Sequence, residues 1–207
     1  MSIKLQDIIP ALHSRFEGIQ HGAVIDNVSI DSRSLQNNTG TLFFALMGQN
    51  RNGHLYISEL ISKGVLNFVV THIPVGVQGK ANFIIVNDTL TALQDFAAYY
   101  RQLFNLQVIA ITGSSGKTIV KEWLNYLLSP DFNIIRSPKS YNSQVGVPLS
   151  VIGINQKHNL GIFEAGISLP GGGRSPACFP RRPCRRSRRR YANRSVRTMA
   201  SCASPSR

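Results

Sequence analysis

The sequence predicts an α/β protein with parallel sheets, followed by an arginine-rich tail. Short apolar runs typical of buried strands alternate with segments in which apolar residues recur every three or four positions, as in amphipathic helices. This alternation favours parallel sheets, because parallel neighbours are usually joined by a helix. We expect a small α/β domain over 1–105, a parallel-sheet region over 106–170 and a disordered tail over 171–207.

The elements of the first region follow from apolar spacing and from turn and capping residues. Asn and Gly predict a turn at 37–40, Asp88 or Thr89 is a helix N-cap, and Gly64 is a helix C-cap. The predicted elements are, in chain order, a helix over 5–12, strands over 24–30 and 41–46, a helix over 56–63, strands over 68–70 and 83–86, and a helix over 88–104.

The second region carries the most specific motif, T-G-S-S-G-K-T over 112–118, between an apolar run and a helical pattern. A buried strand, a glycine-rich turn and a helix N-terminus are the order that a phosphate-binding loop requires. Lys117 would place a cation on the outer phosphates, and the Thr118 hydroxyl would ligate magnesium. Ile111 stands where the general G-x-x-x-x-G-K-[ST] pattern has its first glycine, and the alternative is an ordinary serine- and glycine-rich turn. The flanking strand and helix favour binding of a nucleoside triphosphate.

An amphipathic helix is predicted directly after this loop. Its apolar residues recur at i, i+3, i+4, i+7 and i+8, and they are Val120, Trp123, Leu124, Leu127 and Leu128. Further strands are predicted over 133–136 and 161–165, with an apolar stretch between them over 148–154.

The charge of the chain is concentrated at one end. Residues 1–171 carry 12 Lys and Arg against 10 Asp and Glu, whereas 172–207 carry 11 Arg and no acidic residue. Val196 is the only Val, Ile or Leu in 172–207, so this segment is too poor in apolar residues to form a core. Two explanations remain open: an arm that binds nucleic acid non-specifically through phosphate contacts, or out-of-frame translation beginning near residue 169, which the absence of Lys favours.

The remaining composition gives no sign of a metal centre or a membrane segment. The three cysteines, Cys178, Cys184 and Cys202, lie in the tail without metal-ligand spacing. No apolar run approaches the length of a membrane span, and the first residues lack a signal-peptide core. A cytoplasmic protein is therefore expected.

Four sequence stretches together resemble the Mur ligase family, ATP-dependent amide-forming enzymes of peptidoglycan synthesis. They are D-S-R at 31–33; T-L-F-F-A-L-M-G at 41–48 with N-G-H at 52–54; the loop at 112–118; and Y-N-S-Q-V-G-V-P-L at 141–149 leading to F-E-A-G at 163–166. The stretches are similar to the MurF type, including the form fused to alanine racemase. The resemblance implies that 1–105 binds a UDP-sugar substrate and that 106–170 opens the central ATP-binding domain.

The resemblance also implies roles for individual residues. Asn142 matches an asparagine near the nucleotide, although a turn-forming role is the alternative. Ser32 and Arg33 match a region that contacts the UDP-linked substrate, although an arginine after a strand is common at a surface. Ser115 stands where the family usually has Asn. The implied ATP contacts are Gly113, Ser114, Ser115, Gly116, Lys117, Thr118 and Asn142, with Lys117 also catalytic.

Glu164 matches a magnesium-binding carboxylate of the family, beside Thr118. The physical argument agrees, because a carboxylate at the end of a parallel strand beside a phosphate loop faces the ligand crevice. The alternative is an ordinary glutamate exposed at a strand end.

The implied reaction joins D-alanyl-D-alanine to UDP-N-acetylmuramoyl-tripeptide through an acyl phosphate, using ATP and Mg²⁺. The carbamylated lysine and the histidine that the family uses near a second metal would lie beyond residue 170, where no equivalent is readable. We therefore expect this copy to be incomplete and inactive. Two alternatives are a non-catalytic nucleotide-binding fragment with a basic arm, and another ligase of the MurE or folylpolyglutamate synthetase kind.

Overall fold

A computed structural model describes residues 2–33, 35, 39–48 and 51–166. The arginine-rich tail and part of the predicted turn at 37–40 lie outside these described residues.

The described residues form twelve strands, five α-helices and one short 3₁₀ helix. The strands are β1 (Ile3–Lys4), β2 (Arg15–Glu17), β3 (Val24–Ile25), β4 (Asn27–Ser29), β5 (Thr41–Phe44), β6 (Met47–Gly48), β7 (Arg51–Asn52), β8 (Asn67–Val70), β9 (Asn82–Ile85), β10 (Gln107–Ile111), β11 (Ile134–Arg136) and β12 (Leu160–Glu164). The helices are α1 (Leu5–Ala11), the 3₁₀ helix Gly53–Tyr56, α2 (Ile57–Ser62), α3 (Thr89–Gln102), α4 (Lys117–Leu128) and α5 (Gly146–Ile152).

Besides two sheets of two strands each, β1-β3 and β6-β7, two sheets of five and three strands organise most of these elements and confirm the α/β class. The first has the order β2-β9-β8-β5-β4, with every neighbouring pair parallel except β2 and β9. The second has the order β10-β12-β11 and is parallel throughout. The strand β12, the last strand among the described residues, therefore lies at the centre of its sheet, and β10 and β11 pair with it from either side.

Most predicted elements are present, and the differences have local causes. The predicted strand over 24–30 is divided at Asp26, where the backbone N–H groups of Asp26 and Asn27 both donate to the carbonyl of Gly40. The apolar stretch at 148–154 belongs mainly to α5, which has Pro148 in its first turn, where proline is tolerated. The antiparallel edge strand β2 is too short to produce an alternating pattern.

One apolar core extends across both sheets. It includes Phe44 of the first sheet, Phe96 of α3, Val151 of α5 and Phe163 of the second sheet, all buried. The helices α3 and α5 pack against each other inside it, and the Tyr100 hydroxyl of α3 donates 2.7 Å to the carbonyl of Ile154, just after α5. The second sheet is thereby fixed to the first.

The predicted helix after the loop is present as α4, and its apolar residues are only partly covered. Trp123 and Leu127 are 69% and 66% exposed, and Val120 is also exposed, whereas Leu124 and Leu128 are half-buried. Lys121 is completely buried on the side of α4 that faces the sheet.

No helix in the described ranges combines the length and apolar character needed to cross a bilayer.

Removing the Tyr100 hydroxyl tests the contact between α3 and the residues after α5. Tyr100→Phe leaves the buried carbonyl of Ile154 without this donor, and we expect a loss of about 1–3 kcal/mol in the free energy of unfolding. The half-buried Tyr99 hydroxyl makes no hydrogen bond to the described residues, so Tyr99→Phe is the matched control. Urea unfolding of the full chain measures both; equal losses in the two variants would contradict the prediction.

The buried side chain of His54 makes stability depend on pH. Its Nε2 accepts a hydrogen bond from the Thr71 backbone N–H at 3.1 Å, and its Nδ1 lies 3.1 Å from the Asn52 side-chain oxygen, so the ring is neutral with the proton on Nδ1. Burial lowers the pKa of His54, and the adjacent His72, stacked at 4.5 Å, lowers that pKa further.

When the pKa of a histidine is lower in the folded state than in the unfolded state, that histidine stabilises the fold at pH values above its unfolded pKa of about 6.5. We therefore expect the free energy of unfolding to fall as pH decreases through that value towards the lower folded pKa. Urea midpoints between about pH 8 and pH 5.5 should decline more steeply for the wild type than for His54→Gln. Parallel curves for the two proteins would show that His54 does not contribute.

Candidate functional site

The glycine-rich loop lies between the end of β10 and the start of α4, as the sequence predicts. Gly113 has φ +148° and Gly116 has φ +76°, both in the region that favours glycine. Ser114 and Ser115 are exposed at the tip between them. The loop is therefore a tight turn that keeps its backbone open to a ligand.

The first turn of α4 is open to an anion. Gly116 precedes the helix, and no side chain caps it. The hydrogen-bond ladder of the helix begins with the N–H of Val120 donating 3.0 Å to the carbonyl of Gly116, so the N–H groups of residues 117–119 precede that ladder. Free N–H groups at a helix N-terminus, together with the helix dipole, favour a phosphate at this position.

Lys117 and Thr118 project from this turn into the same region. The Lys117 ammonium donates 2.5 Å to the carbonyl of Gly113, across the mouth of the loop. An ammonium has three donors, so further donors remain for phosphate oxygens. The Thr118 hydroxyl donates 3.2 Å to Oε2 of Glu164. The structure thus brings together the loop, the helix start and the carboxylate that the sequence predicts.

Glu164 is completely buried at the end of β12, so the alternative of an exposed glutamate at a strand end is wrong. Its Oε1 lies 2.9 Å from Nζ of Lys121 in an ion pair, yet that oxygen accepts no hydrogen bond from the described residues. The Thr118 hydroxyl is the donor at the other oxygen. A carboxylate has about four lone-pair sites, so Glu164 retains capacity for a cation.

Lys121 was missed by the sequence analysis. Its Nζ donates 2.9 Å to the carbonyl of Ser137 and also donates to the carbonyl of Lys139, beside the ion pair with Glu164. One signal was available: Lys121 lies four residues after Lys117 and therefore shares its helix face. Apolar spacing does not mark Lys121, although Leu124 and Leu128 of the apolar face lie three and seven residues after it, on the same side of the helix.

Asn142 lies beside the end of β12. Its carbonyl accepts a 2.9 Å hydrogen bond from the N–H of Gly166, two residues after Glu164. The half-buried Asn142 is thus held close to the predicted nucleotide site through its backbone, and its predicted side-chain role is untested.

A pocket of about 460 Å³ contains Ser32 and Arg33, as expected for a substrate site. Its volume is within the range of small-molecule pockets. Residues of both regions line it, since Val145 belongs to the loop before α5. The remaining lining residues are Ile30, Asp31, Phe43, Leu46, Gly53, Tyr56, Glu59 and Lys63.

Arg33 is oriented by its neighbour Asp31. Nε and one terminal nitrogen of Arg33 donate 3.0 and 2.9 Å to the two carboxylate oxygens of Asp31. The hydrogen bonds and the negative charge of Asp31 raise the pKa of Arg33, so the guanidinium stays charged. An exposed pair of this kind contributes little stability, but it fixes the direction of a planar cation.

The donor set around Thr118 and Glu164 fits magnesium better than a metal held by protein groups alone. The described residues contain no cluster of three or more His, Cys, Asp or Glu side chains that could hold a metal ion. Magnesium instead takes one or two carboxylates together with phosphate oxygens and water. The buried carboxylate, the adjacent hydroxyl and the anion-binding helix start supply these protein groups.

Gly166 keeps the Asn142 loop in place, and its substitution tests that contact. A Cβ on Gly166 would lie 2.5 Å from the carbonyl oxygen of Asn142, a contact that the backbone must move to relieve. We expect Gly166→Ala to lower the free energy of unfolding by about 1–3 kcal/mol, as overpacking does. At Gly22 an added Cβ meets nothing within 4 Å, so Gly22→Ala is the control. Similar urea midpoints for the two variants would disprove the close contact.

Comparison with known proteins identifies related proteins. The family model described as "Mur ligase family, catalytic domain" matches residues 24–101, which include Ser32 and Arg33 but end before the glycine-rich loop. A UDP-N-acetylmuramoyl-tripeptide--D-alanyl-D-alanine ligase of Synechocystis sp. is 39% identical over 142 residues, covering 68% of this chain and 30% of the relative. The ligase of the same name from Treponema pallidum is 35% identical, covering 70% of this chain and 33% of the relative.

Solved structures of two ligases are also similar to this chain. A UDP-N-acetylmuramoylalanyl-D-glutamyl-2,6-diaminopimelate--D-alanyl-D-alanyl ligase of Acinetobacter baumannii superposes with a TM-score of 0.74 at 28% identity, covering 83% of this chain and 38% of that chain. A MurF ligase of Thermotoga maritima in complex with ADP superposes with a TM-score of 0.62 at 26% identity, covering 70% and 33%. The chain spans about a third of the length of the curated relatives it matches.

Proposed function

We propose that the described residues, which belong to the MurF type of the Mur ligase family, supply the ATP-phosphate site and part of the substrate pocket of an amide ligase. The reaction would join D-alanyl-D-alanine to UDP-N-acetylmuramoyl-tripeptide, the substrates named for the relatives. This proposed reaction is a step of peptidoglycan precursor synthesis, and we propose a cytoplasmic location for the chain.

The observation that carries the proposal is the 3.2 Å contact between the Thr118 hydroxyl and Glu164 at the open start of α4. This contact joins a hydroxyl of the glycine-rich loop to a carboxylate of the neighbouring strand. Thr118 and Glu164 would hold Mg²⁺, which would neutralise charge on the phosphates when bound. The Thermotoga maritima relative was solved in complex with ADP, which supports a nucleotide as the ligand of this chain.

The residues of this chain would act mainly by electrostatic stabilisation and positioning. A carboxylate is a poor electrophile until phosphorylation makes its oxygen a good leaving group, so the proposed reaction proceeds through an acyl phosphate. Lys117 and the N–H groups of residues 117–119 would stabilise charge on the transferring phosphoryl group. Gly113 and Gly116 would allow the loop backbone to approach the phosphates closely.

The pocket at Ser32 and Arg33 is the proposed site of the UDP-linked substrate. The guanidinium of Arg33 suits a diphosphate or carboxylate, because both accept forked hydrogen bonds. Val145 lines this pocket, and Asn142 of the same loop lies beside the end of β12. The loop therefore runs from the proposed substrate site to the proposed nucleotide site, so a residue of the proposed nucleotide region, 106–170, completes the pocket of the proposed substrate region, 1–105.

Nucleotide binding by the full 207-residue chain tests the proposal directly. We expect the wild type to bind ADP in the presence of Mg²⁺, and Lys117→Ala to weaken binding about tenfold or more through loss of charge-assisted hydrogen bonds. Lys157→Ala, which removes an exposed lysine in the turn before β12, is the control. Isothermal titration calorimetry measures all three proteins, and a wild type that binds no ADP would contradict the proposal.

The same preparation separates binding from turnover. Because the chain spans about a third of its relatives, we expect no D-alanyl-D-alanine-dependent phosphate release from ATP and UDP-N-acetylmuramoyl-tripeptide. Phosphate release above the Lys117→Ala background would show that these 207 residues suffice for catalysis.

A further inference from the structure

We propose that Lys121 is a positioning residue of the magnesium–nucleotide site, and that it determines which oxygen of Glu164 faces the metal. The proposal extends the proposed function and rests on it. It concerns a side chain that does not line the mouth of the loop and that the phosphate-loop motif does not include.

The two carboxylate oxygens of Glu164 lie beside different side chains. Oε1 lies 2.9 Å from the Lys121 ammonium, and Oε2 lies 3.2 Å from the Thr118 hydroxyl. Both charged side chains have no exposed surface. Oε2 would therefore be the oxygen of Glu164 that holds a cation together with the Thr118 hydroxyl, because the Lys121 ammonium lies beside Oε1.

Lys121 also fixes the chain that follows β11. Its ammonium donates to the carbonyls of Ser137 and Lys139. The Ser137 hydroxyl accepts a 3.1 Å hydrogen bond from the backbone N–H of Glu164. Three contacts thus connect α4, the segment after β11 and the end of β12 at one point. Asn142 lies three residues further along that segment.

The burial of this lysine is difficult to explain by stability alone. Withdrawing two charges from water is costly, and apolar residues of similar volume often serve a core as well or better. The neighbouring positions of α4 show that apolar residues are abundant in this helix. Partners that orient a metal ligand, by contrast, are commonly buried, and their loss lowers metal affinity about 10- to 100-fold.

The test compares ADP binding with Mg²⁺ and in EDTA for the wild type, Lys121→Gln, Glu164→Gln and the double variant. We expect Mg²⁺ to strengthen ADP binding by the wild type, and Lys121→Gln to reduce that increment about tenfold or more. Binding in EDTA should change less than about twofold, because Lys117 and the start of α4 remain. The double variant should lose no more of the increment than Glu164→Gln alone.

Glu122→Gln is the matched control. Glu122 lies 3.5 Å from the Lys121 ammonium, but it is partly exposed and is paired with Arg136. Its substitution should leave the Mg²⁺ increment unchanged. Two results for Lys121→Gln would overturn the proposal while leaving the nucleotide site intact. One is a gain in ADP affinity on adding Mg²⁺ as large as that of the wild type, and the other is an equal loss of ADP affinity with Mg²⁺ and in EDTA. A wild type that binds no ADP would overturn both.

A measurement on the wild type avoids dependence on the folding of the variants. The ¹⁵N resonance of the Lys121 ammonium is followed by NMR while ADP is added, first in EDTA and then with Mg²⁺. We expect a clear shift only with Mg²⁺, because the metal acts on Lys121 through Glu164. An unchanged resonance in the presence of bound Mg²⁺ and ADP would overturn the proposal.

Discussion

The ion pair between Lys121 and Glu164 connects the helix behind the glycine-rich loop to the central strand of the second sheet. Its two charges lie 2.9 Å apart with no exposed surface. Removing one partner of such a buried pair typically costs about 3–5 kcal/mol, since the other charge is left unpaired. The positions of Thr118, the end of β12 and the segment at 137–139 all depend on it.

A second constraint holds this unit against the first sheet. The helix α3 belongs to the first region in sequence, yet it packs on α5 of the second and donates the Tyr100 hydrogen bond to Ile154. The common core, with Phe96 and Phe163 both buried, fixes the relative position of the two sheets. For this reason Val145 reaches the pocket that contains Arg33, and one loop serves both candidate sites.

Short sequence motifs predicted the parts of the site that are formed by residues close together in the chain. The glycines at 113 and 116 adopt the positive φ values that the loop motif requires, and the strand-end position of Glu164 placed its carboxylate beside the loop. Lys121 was not predicted, because its burial depends on Ser137 and Glu164, which are distant in sequence. The apolar spacing of α4 predicted an amphipathic helix, but it did not show that Trp123 and Leu127 would be exposed. Periodicity identifies the apolar side of a helix, but not the element that covers it.

The order β10-β12-β11 has a consequence for synthesis of the chain on the ribosome. The strands β10 and β11 do not pair with each other, and both pair with Leu160–Glu164, the last strand of the described residues. The glycine-rich loop at the end of β10 is therefore translated about fifty residues before the strand that supports it, as the numbers 113 and 164 indicate. Until β12 emerges, this half of the nascent protein has two unpaired strands and a lysine-bearing helix without its carboxylate. Contacts this distant in sequence form slowly and leave apolar surface exposed in the meantime. We therefore expect chaperone binding to be most useful before residue 164 emerges from the ribosome.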